Sequence, residues 1–141
     1  MTVASSRDPI IEKRLLQAAV IVGALVPVSA GLAGIVMGSA LVETRPPDID
    51  ADSHFRYLSG LLLAIGLGFM SLVPKIETRT SAFRLLTFLV VTGGIARLVS
   101  WAVLGKPGAP MVAGLIMELL ITPALCLWQG ALARRFHADN N

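Results

Sequence analysis

The chain has 141 residues, of which 55% are hydrophobic and 15% are charged, and its mean hydropathy is +0.74. An ordinary soluble domain contains about 25% charged residues, so this composition excludes most classes of soluble protein. The formal charge of +3 and the pI near 9.6 would suggest nucleic-acid binding in a soluble chain. Here the basic residues stand at the ends of hydrophobic runs, so no nucleic-acid partner is expected.

Four long hydrophobic runs follow one another and leave room only for short connections. At a rise of about 1.5 Å per residue, each run in helical form reaches about the thickness of the roughly 30 Å hydrocarbon core. The sequence therefore predicts an all-α fold, a bundle of four transmembrane helices running up-down-up-down, in a single integral membrane domain over residues 1–141. The predicted helices cover residues 15–42, 55–73, 83–104 and 109–133.

The first run has some features of a secretory signal peptide. Basic residues precede it, and Val28-Ser29-Ala30 provides a cleavage site of small residues. The apolar run continues through residues 31–37 without a polar break, so we expect one uncleaved helix. Cleavage at this site stays an open alternative, which an intact mass decides.

Charge at the helix ends predicts the orientation in the membrane. Most basic residues fall on one side of the predicted bundle: Arg7, Lys13, Arg14, Lys75, Arg79, Arg84, Arg134 and Arg135. By the positive-inside rule, both termini are expected in the cytoplasm and the acidic loop 43–54 outside.

Small residues recur at every fourth position on the first two predicted helices. In lipid, such stripes let two helix backbones approach closely. We expect the first two helices to pack on each other in this way, and a homodimer that uses the same stripes stays open. The stripes are Ala30, Gly34 and Gly38, and Gly60, Ala64 and Gly68.

The acidic loop is expected to be a solvated segment, and weak binding of a divalent cation stays an open alternative. Asp48, Asp50 and Asp52 alternate as in a calcium loop, but Ser53 and Ser59 stand where that loop needs glycine and glutamate. Either Asp52 or Ser53 is expected to cap the second helix. Elsewhere the sequence offers no paired histidines and one cysteine, so no metal or cofactor is predicted.

Arg97 and Glu118 are the two ionisable residues inside the last two runs. They lie at similar distances from the connecting turn at residues 105–108, so an antiparallel hairpin brings them to one depth. A charge in the hydrocarbon core is costly, and it normally marks a buried pair or a working site. We therefore predict that Arg97 and Glu118 pair in the outer half of the membrane.

Neighbouring residues can complete a site around this pair. Gly93 and Gly114 each lie one turn before a charged residue and are expected to make room for it, because long side chains lean over the preceding turn. Further polar or aromatic groups follow on the same helix faces. They are Ser100 and Trp101 beyond Arg97, and Thr122 beyond Glu118.

Arg56 is predicted to enter the same half from the second helix, with Ser59 and Gly60 on its face. Two positive charges against one negative charge would then leave one positive charge for an anionic ligand. Three interpretations of the Arg97–Glu118 pair stay open: a structural salt bridge that fixes helix register, a ligand or lipid site, and a proton relay through the glutamate.

Several short segments resemble a family of small four-helix bacterial membrane proteins that is known only as a domain of unknown function. The resemblance implies four helices in a bacterial inner (plasma) membrane, with Arg56, Gly60, Arg97 and Glu118 as the matching positions, and it implies no activity. The segments are His54-Phe55-Arg56-Tyr57-Leu58-Ser59-Gly60, Gly93-Gly94-Ile95-Ala96-Arg97-Leu98, Gly105-Lys106-Pro107 and Glu118-Leu119.

The function expected from these observations is that of a non-enzymatic binding or accessory protein. Its predicted partners are the lipid bilayer and an anionic lipid, small amphiphile or partner helix held between the last three helices, and a homo-oligomer is open. The alternative is translocation of protons or a small solute through Glu118. An enzyme would need a second catalytic group, which the sequence does not indicate.

Overall fold

A computed structural model describes residues 8–42 and 48–138, and within these residues the fold is all-helical. Short 3₁₀ turns, Gly38–Leu41 and Val73–Lys75, extend the first two helices, and a π-helical turn, Met117–Ile121, interrupts the last. The α-helices are α1 (Pro9–Met37), α2 (Ile49–Leu72), α3 (Thr80–Leu104), α4 (Ala109–Ile116) and α5 (Thr122–Ala138).

Four helical stretches are long and apolar enough to cross a membrane. Three correspond to α1, α2 and α3, and the fourth is the continuous stretch Ala109–Ala138, called here the fourth span. Large apolar side chains such as Leu104 and Leu127 are exposed along them. In water such exposure would be unfavourable, whereas lipid chains solvate it. The predicted all-α fold with four membrane-length helices is confirmed.

The helices extend beyond the hydrophobic runs because polar residues cap them. The α2 helix begins at Ile49 instead of Phe55, since Asp48 accepts hydrogen bonds from the backbone N–H groups of Asp50 and Ala51 at 3.0 Å. Neither Asp52 nor Ser53 is the cap, and both lie inside the helix. The predicted acidic loop 43–54 is therefore helical from residue 49, and residues 43–47 lie outside the described part of the chain.

The chain forms two compact units. One consists of Met1–Val20 and Leu72–Asn141, and the other of Ile21–Ser71. In the second unit, α1 and α2 pack in antiparallel fashion through glycines. A Cβ on Gly31 would lie 2.7 Å from the backbone nitrogen of Leu63, and one on Gly34 would lie 2.7 Å from Ser59 Cβ. The predicted close packing of these helices is thus present.

The residues at this contact differ in part from the two predicted stripes. Gly34 and Gly38 are buried as expected, but Ala30 is exposed and Gly31 takes its place. On α2, a Cβ at Gly60 would meet nothing within 4 Å, and Gly66 lies against Val28 instead. Regular spacing identified the correct helices, but the phase of their contact depends on the side chains that surround each crossing point.

The first unit places α3 against the fourth span. Phe83 on α3 and Leu132 on α5 are fully or almost fully buried, together with Ile76 from the preceding connection and Leu16 from α1. The two helices run antiparallel, because the start of α3 lies beside α5 and its later turns lie beside α4 and the π turn. This arrangement positions the candidate site.

Candidate functional site

The turn between α3 and α4 brings Arg97 and Glu118 together. Gly105 ends α3 with φ of 98°, a backbone conformation that favours glycine, and its N–H donates to Trp101 O at 2.9 Å. The chain then reverses, and Arg97 Nε lies 3.1 Å from Glu118 Oε1. The ion pair therefore has the partners that the hairpin spacing predicts.

Gly94 permits the close approach of the two helices beside this ion pair. A Cβ at Gly94 would lie 2.7 Å from Leu119 Cδ2 and 3.0 Å from Glu118 Cβ. At Gly93 and Gly114 a Cβ would meet nothing within 4 Å. The prediction that these two glycines make room for the charges is therefore wrong, and the glycine at this contact is Gly94, which makes room for the side chain of Leu119.

Glu118 lies in the π-helical turn Met117–Ile121. The N–H and Oγ1 of Thr122 both donate to Met117 O, the hydroxyl at 2.8 Å, so Thr122 holds this wide turn closed. Pro123 follows directly and has no N–H to continue a regular helical ladder. Single π turns in helices often occur at functional sites. The sequence signal for this turn is Pro123, although proline alone does not specify a π turn.

The Arg97 guanidinium is only partly satisfied by the protein. Besides its contact with Glu118, its Nη1 donates to the weak acceptor Met111 Sδ at 3.1 Å. The side chain of Arg97 is 40% exposed, whereas that of Glu118 is 16% exposed. Glu118 Oε2 is buried and has no hydrogen-bond partner within the described residues. The guanidinium thus has only the weak sulfur acceptor on the edge away from Glu118, and the carboxylate has a buried oxygen without a partner among the described residues.

A groove of about 130 Å³ opens beside Arg97. Ser100 and Trp101, two of the predicted site residues, lie along it with hydroxyl and indole groups that can donate hydrogen bonds. Gly105 and Pro107 of the turn form one end of the groove, and α4 forms its other wall. The lining residues are Arg97, Ser100, Trp101, Gly105, Pro107, Met111 and Leu115.

Arg56 belongs to the other compact unit, where its charge already has a partner. Its Nε lies 2.7 Å from Asp52 Oδ2, and its Nη1 donates to the carbonyl oxygens of Ile35 and Val36 at the end of α1. Asp52 Oδ1 also accepts the Ser39 N–H at 2.8 Å. The structure thus engages Arg56 in joining α1 to α2.

Ser59, the remaining predicted site residue, is buried against Gly34. Its hydroxyl donates to Phe55 O in its own helix at 2.8 Å. Since this bond stays within α2, the contact that Ser59 provides to α1 is steric. The role of Ser59 in ligand binding stays a prediction.

A second polar cluster in the first unit was not anticipated from the sequence. Glu12 of α1 accepts the Trp128 indole N–H at 3.0 Å and pairs with Arg135 Nη1 at 2.6 Å, and its side chain is only 12% exposed. Lys13 pairs with Glu77 at 2.9 Å. Because these partners are far apart in the chain, no local spacing could have revealed them.

Gln129 lies at the centre of the same end of the unit and is fully buried. Its Nε2 donates to Ile76 O at 2.7 Å and to Thr80 Oγ1 at 3.0 Å, which fixes α5 to the start of α3. Its Oε1 has no partner within the described residues. The sequence signal for this contact is the presence of a polar residue, Gln129, within the fourth hydrophobic run.

No group of three or more His, Cys, Asp or Glu side chains in the described ranges could hold a metal ion. Cys126 is a free, partly buried cysteine. The site around Arg97 offers an ion pair and hydrogen-bond donors on an all-helical fold of membrane-length helices.

Comparison with known proteins gives the family. Residues 15–129 match the model of a family described as Domain of unknown function (DUF4345), so the chain belongs to that family. The predicted membership of a family of unknown function is confirmed. Neither the curated proteins nor the solved structures include a match to this chain.

Proposed function

We propose that this protein is an integral membrane protein that binds the polar headgroup of an amphiphile in the groove beside Arg97, without catalysing a reaction. The observation that carries the proposal is the half-exposed guanidinium, which is held by Glu118 on one edge and faces a groove with its other edge. Arginine retains donors for a second partner after forming one ion pair, because its planar head carries five N–H groups.

The four membrane-length helices support placing the groove within the bilayer. Basic residues gather at the opposite end of α3 from Arg97, and from the positive-inside rule we infer that this end and both termini face the cytoplasm. The groove then lies in the outer half, where α3 and α4 meet at their turn. A headgroup bound there can leave its acyl chains among lipids along the exposed apolar helix faces.

The ligand chemistry that fits is a carboxylate or phosphate on a lipid or small amphiphile. Each of the two arginines already has an acidic partner, Glu118 for Arg97 and Asp52 for Arg56, so no arginine is left over to bind an anion. The attraction for an anionic headgroup comes instead from the N–H groups of Arg97 on the edge away from Glu118. Guanidinium groups bind carboxylates and phosphates through two parallel hydrogen bonds. Ser100 and Trp101 add donors at the groove wall.

Native mass spectrometry of the purified protein tests this proposal. The wild type is expected to retain phosphatidylglycerol in preference to phosphatidylcholine from a defined mixture. The double variant Arg97→Gln with Glu118→Gln keeps the pair neutral and is expected to lose that preference. Arg84→Gln is the matched control, because Arg84 is an exposed arginine near the other end of the same helix.

Two results would decide against a headgroup site. Equal retention of both lipids by the wild type would remove the selectivity that the guanidinium should impose. Equal phosphatidylglycerol retention by the wild type and the double variant would show that the Arg97–Glu118 pair serves only to fix the register of α3 and the fourth span, which is the structural alternative.

A further inference from the structure

Met111 lies against the guanidinium of Arg97 in the wall of the groove. Its Sδ accepts the Nη1 N–H of Arg97 at 3.1 Å, on the edge away from Glu118. A thioether sulfur is a weak acceptor, whereas a phosphate or carboxylate oxygen forms a strong, charge-assisted hydrogen bond with arginine. The sulfur therefore occupies a donor that an anionic headgroup uses, and a headgroup can displace it because the bond that is lost is the weaker one.

The start of α4 sets the position of Met111. The carbonyl oxygen of Gly108, the last residue of the turn, accepts the Met111 N–H at 3.0 Å, so this side chain leaves from the first turn of the helix. Met111 is 42% exposed. The first turn of a membrane-length helix lies near the boundary between hydrocarbon and water. A small oxidant dissolved in water can therefore reach this sulfur.

We infer that Met111 is a modification site, at which oxidation of the thioether to the sulfoxide by hydrogen peroxide closes the groove to anionic headgroups. The inference rests on the proposed headgroup site and adds a means of regulating it. Oxidation converts an apolar side chain into a polar one whose oxygen is a good acceptor. Because that oxygen is attached to the groove wall, it competes for the Arg97 N–H at a high effective concentration.

The oxidation needs only the thioether and the peroxide. A lone pair on Sδ attacks one peroxide oxygen, the O–O bond breaks and an S–O bond forms. The proton on the transferred oxygen passes to the departing hydroxide, which leaves as water. The sulfur loses two electrons and the peroxide gains them. Methionine has three rotatable bonds, so a small rotation lets the Arg97 N–H that donates to Sδ donate to the new oxygen instead.

The contact with Arg97 distinguishes Met111 from the other methionines in the described ranges. Met37 is 51% exposed, but it belongs to the other compact unit and does not line the groove. Met70 and Met117 are half-buried. By exposure, Met37 should react with peroxide at least as readily as Met111, whereas only the oxidation of Met111 should affect the groove. Met37 is therefore the matched control.

Native mass spectrometry before and after peroxide treatment tests the inference, with a defined mixture of phosphatidylglycerol and phosphatidylcholine as the probe. Peptide mapping locates each sulfoxide. In the wild type, oxidation should reduce the preference for phosphatidylglycerol about ten-fold, the effect of losing one hydrogen bond to a charged group. Met37→Leu should lose the preference in the same way. Met111→Leu also changes the groove wall, so it is compared with itself, and its preference should be the same before and after treatment.

A further variant, Met111→Gln, puts an amide oxygen beside Arg97 without any oxidant, and it should show a low preference from the start. Three results would overturn the inference: a wild-type preference that survives oxidation of Met111, a Met111 that stays unoxidised while Met37 reacts, or a Met111→Gln protein with the wild-type preference. Equal retention of the two lipids by the untreated wild type would instead count against the headgroup site itself, so the two failures are distinguishable.

Discussion

Gly94 and Leu119 meet where α3 crosses the fourth span, at a separation that leaves no space for a Cβ on the glycine. The ion pair Arg97–Glu118 lies directly beside this crossing. Small residues let helices pack closely in lipid, and Gly94, which carries a hydrogen atom in place of a methyl group, leaves the space that the Leu119 side chain occupies beside the ion pair.

Replacing Gly94 by alanine should therefore destabilise the protein. The added methyl group must displace Leu119 or separate the helices, at a cost of about 1–3 kcal/mol. Gly93→Ala should be neutral or slightly stabilising, because the position is open and alanine favours helix. Thermal unfolding followed by circular dichroism in detergent measures both. Equal melting temperatures for the two variants would contradict the crossing point at Gly94.

Exchanging the charges of Arg97 and Glu118 should separate folding from binding. Arg97→Glu alone brings two carboxylates together and should lower the melting temperature, and adding Glu118→Arg should recover most of the loss. In the double variant the arginine stands at position 118 of the fourth span, whereas the groove is lined by position 97 of α3. Phosphatidylglycerol retention should therefore stay low. If the double variant is no more stable than either single one, then attraction between the two charges does not stabilise this hairpin.

Asp52→Asn should weaken the contact between α1 and α2. The carboxylate of Asp52 binds Arg56 and the backbone of Ser39, and a neutral amide would weaken both contacts. Asp50→Asn is the matched control, since Asp50 is exposed in the same first turn and has the same interaction with the helix dipole. A thermal scan should give a lower melting temperature for Asp52→Asn only. Equal melting temperatures for the two variants would mean that Asp52 acts through the helix dipole and not through its contacts with Arg56 and Ser39.

Gln129→Leu should cost about 1–3 kcal/mol, because it leaves Ile76 O buried without its donor. Gln17→Leu removes a similar bond to Val73 O, but that bond is only partly buried, so water can replace the lost donor. The fall in melting temperature should thus be larger for Gln129→Leu. A larger fall for Gln17→Leu would mean that the α1 contact contributes more to this end of the unit than the buried amide does.

Much of the architecture could be predicted because it depends on length, hydropathy and spacing. Four runs of membrane length gave four helices, and the similar distances of Arg97 and Glu118 from their turn gave the ion pair. The helix ends could not be placed from hydropathy alone. Asp48 lies outside the apolar run, and its side chain starts α2 by accepting hydrogen bonds from the backbone of the first turn.

The details of the site depend on the rotation of each helix about its axis, which spacing along one helix does not give. A shift of a single residue separates the expected Gly93 from the observed Gly94, and Ala30 from Gly31. Glu12 and Arg135 are 123 residues apart in the sequence, so their contact depends on the fold of the whole unit. Arg56 pairs with Asp52 one turn away on its own helix, a partner that the spacing allows but does not single out.

The π turn at Met117–Ile121 changes the direction in which the side chains of α4 point relative to those of α5. It adds a residue to one turn, so α4 is rotated by about 100° relative to the orientation that an uninterrupted helix would give it. Met111 can therefore face Arg97 while Gln129 faces Thr80. Removing one residue here would leave every contacting side chain in the sequence, yet turn the groove wall away from the arginine.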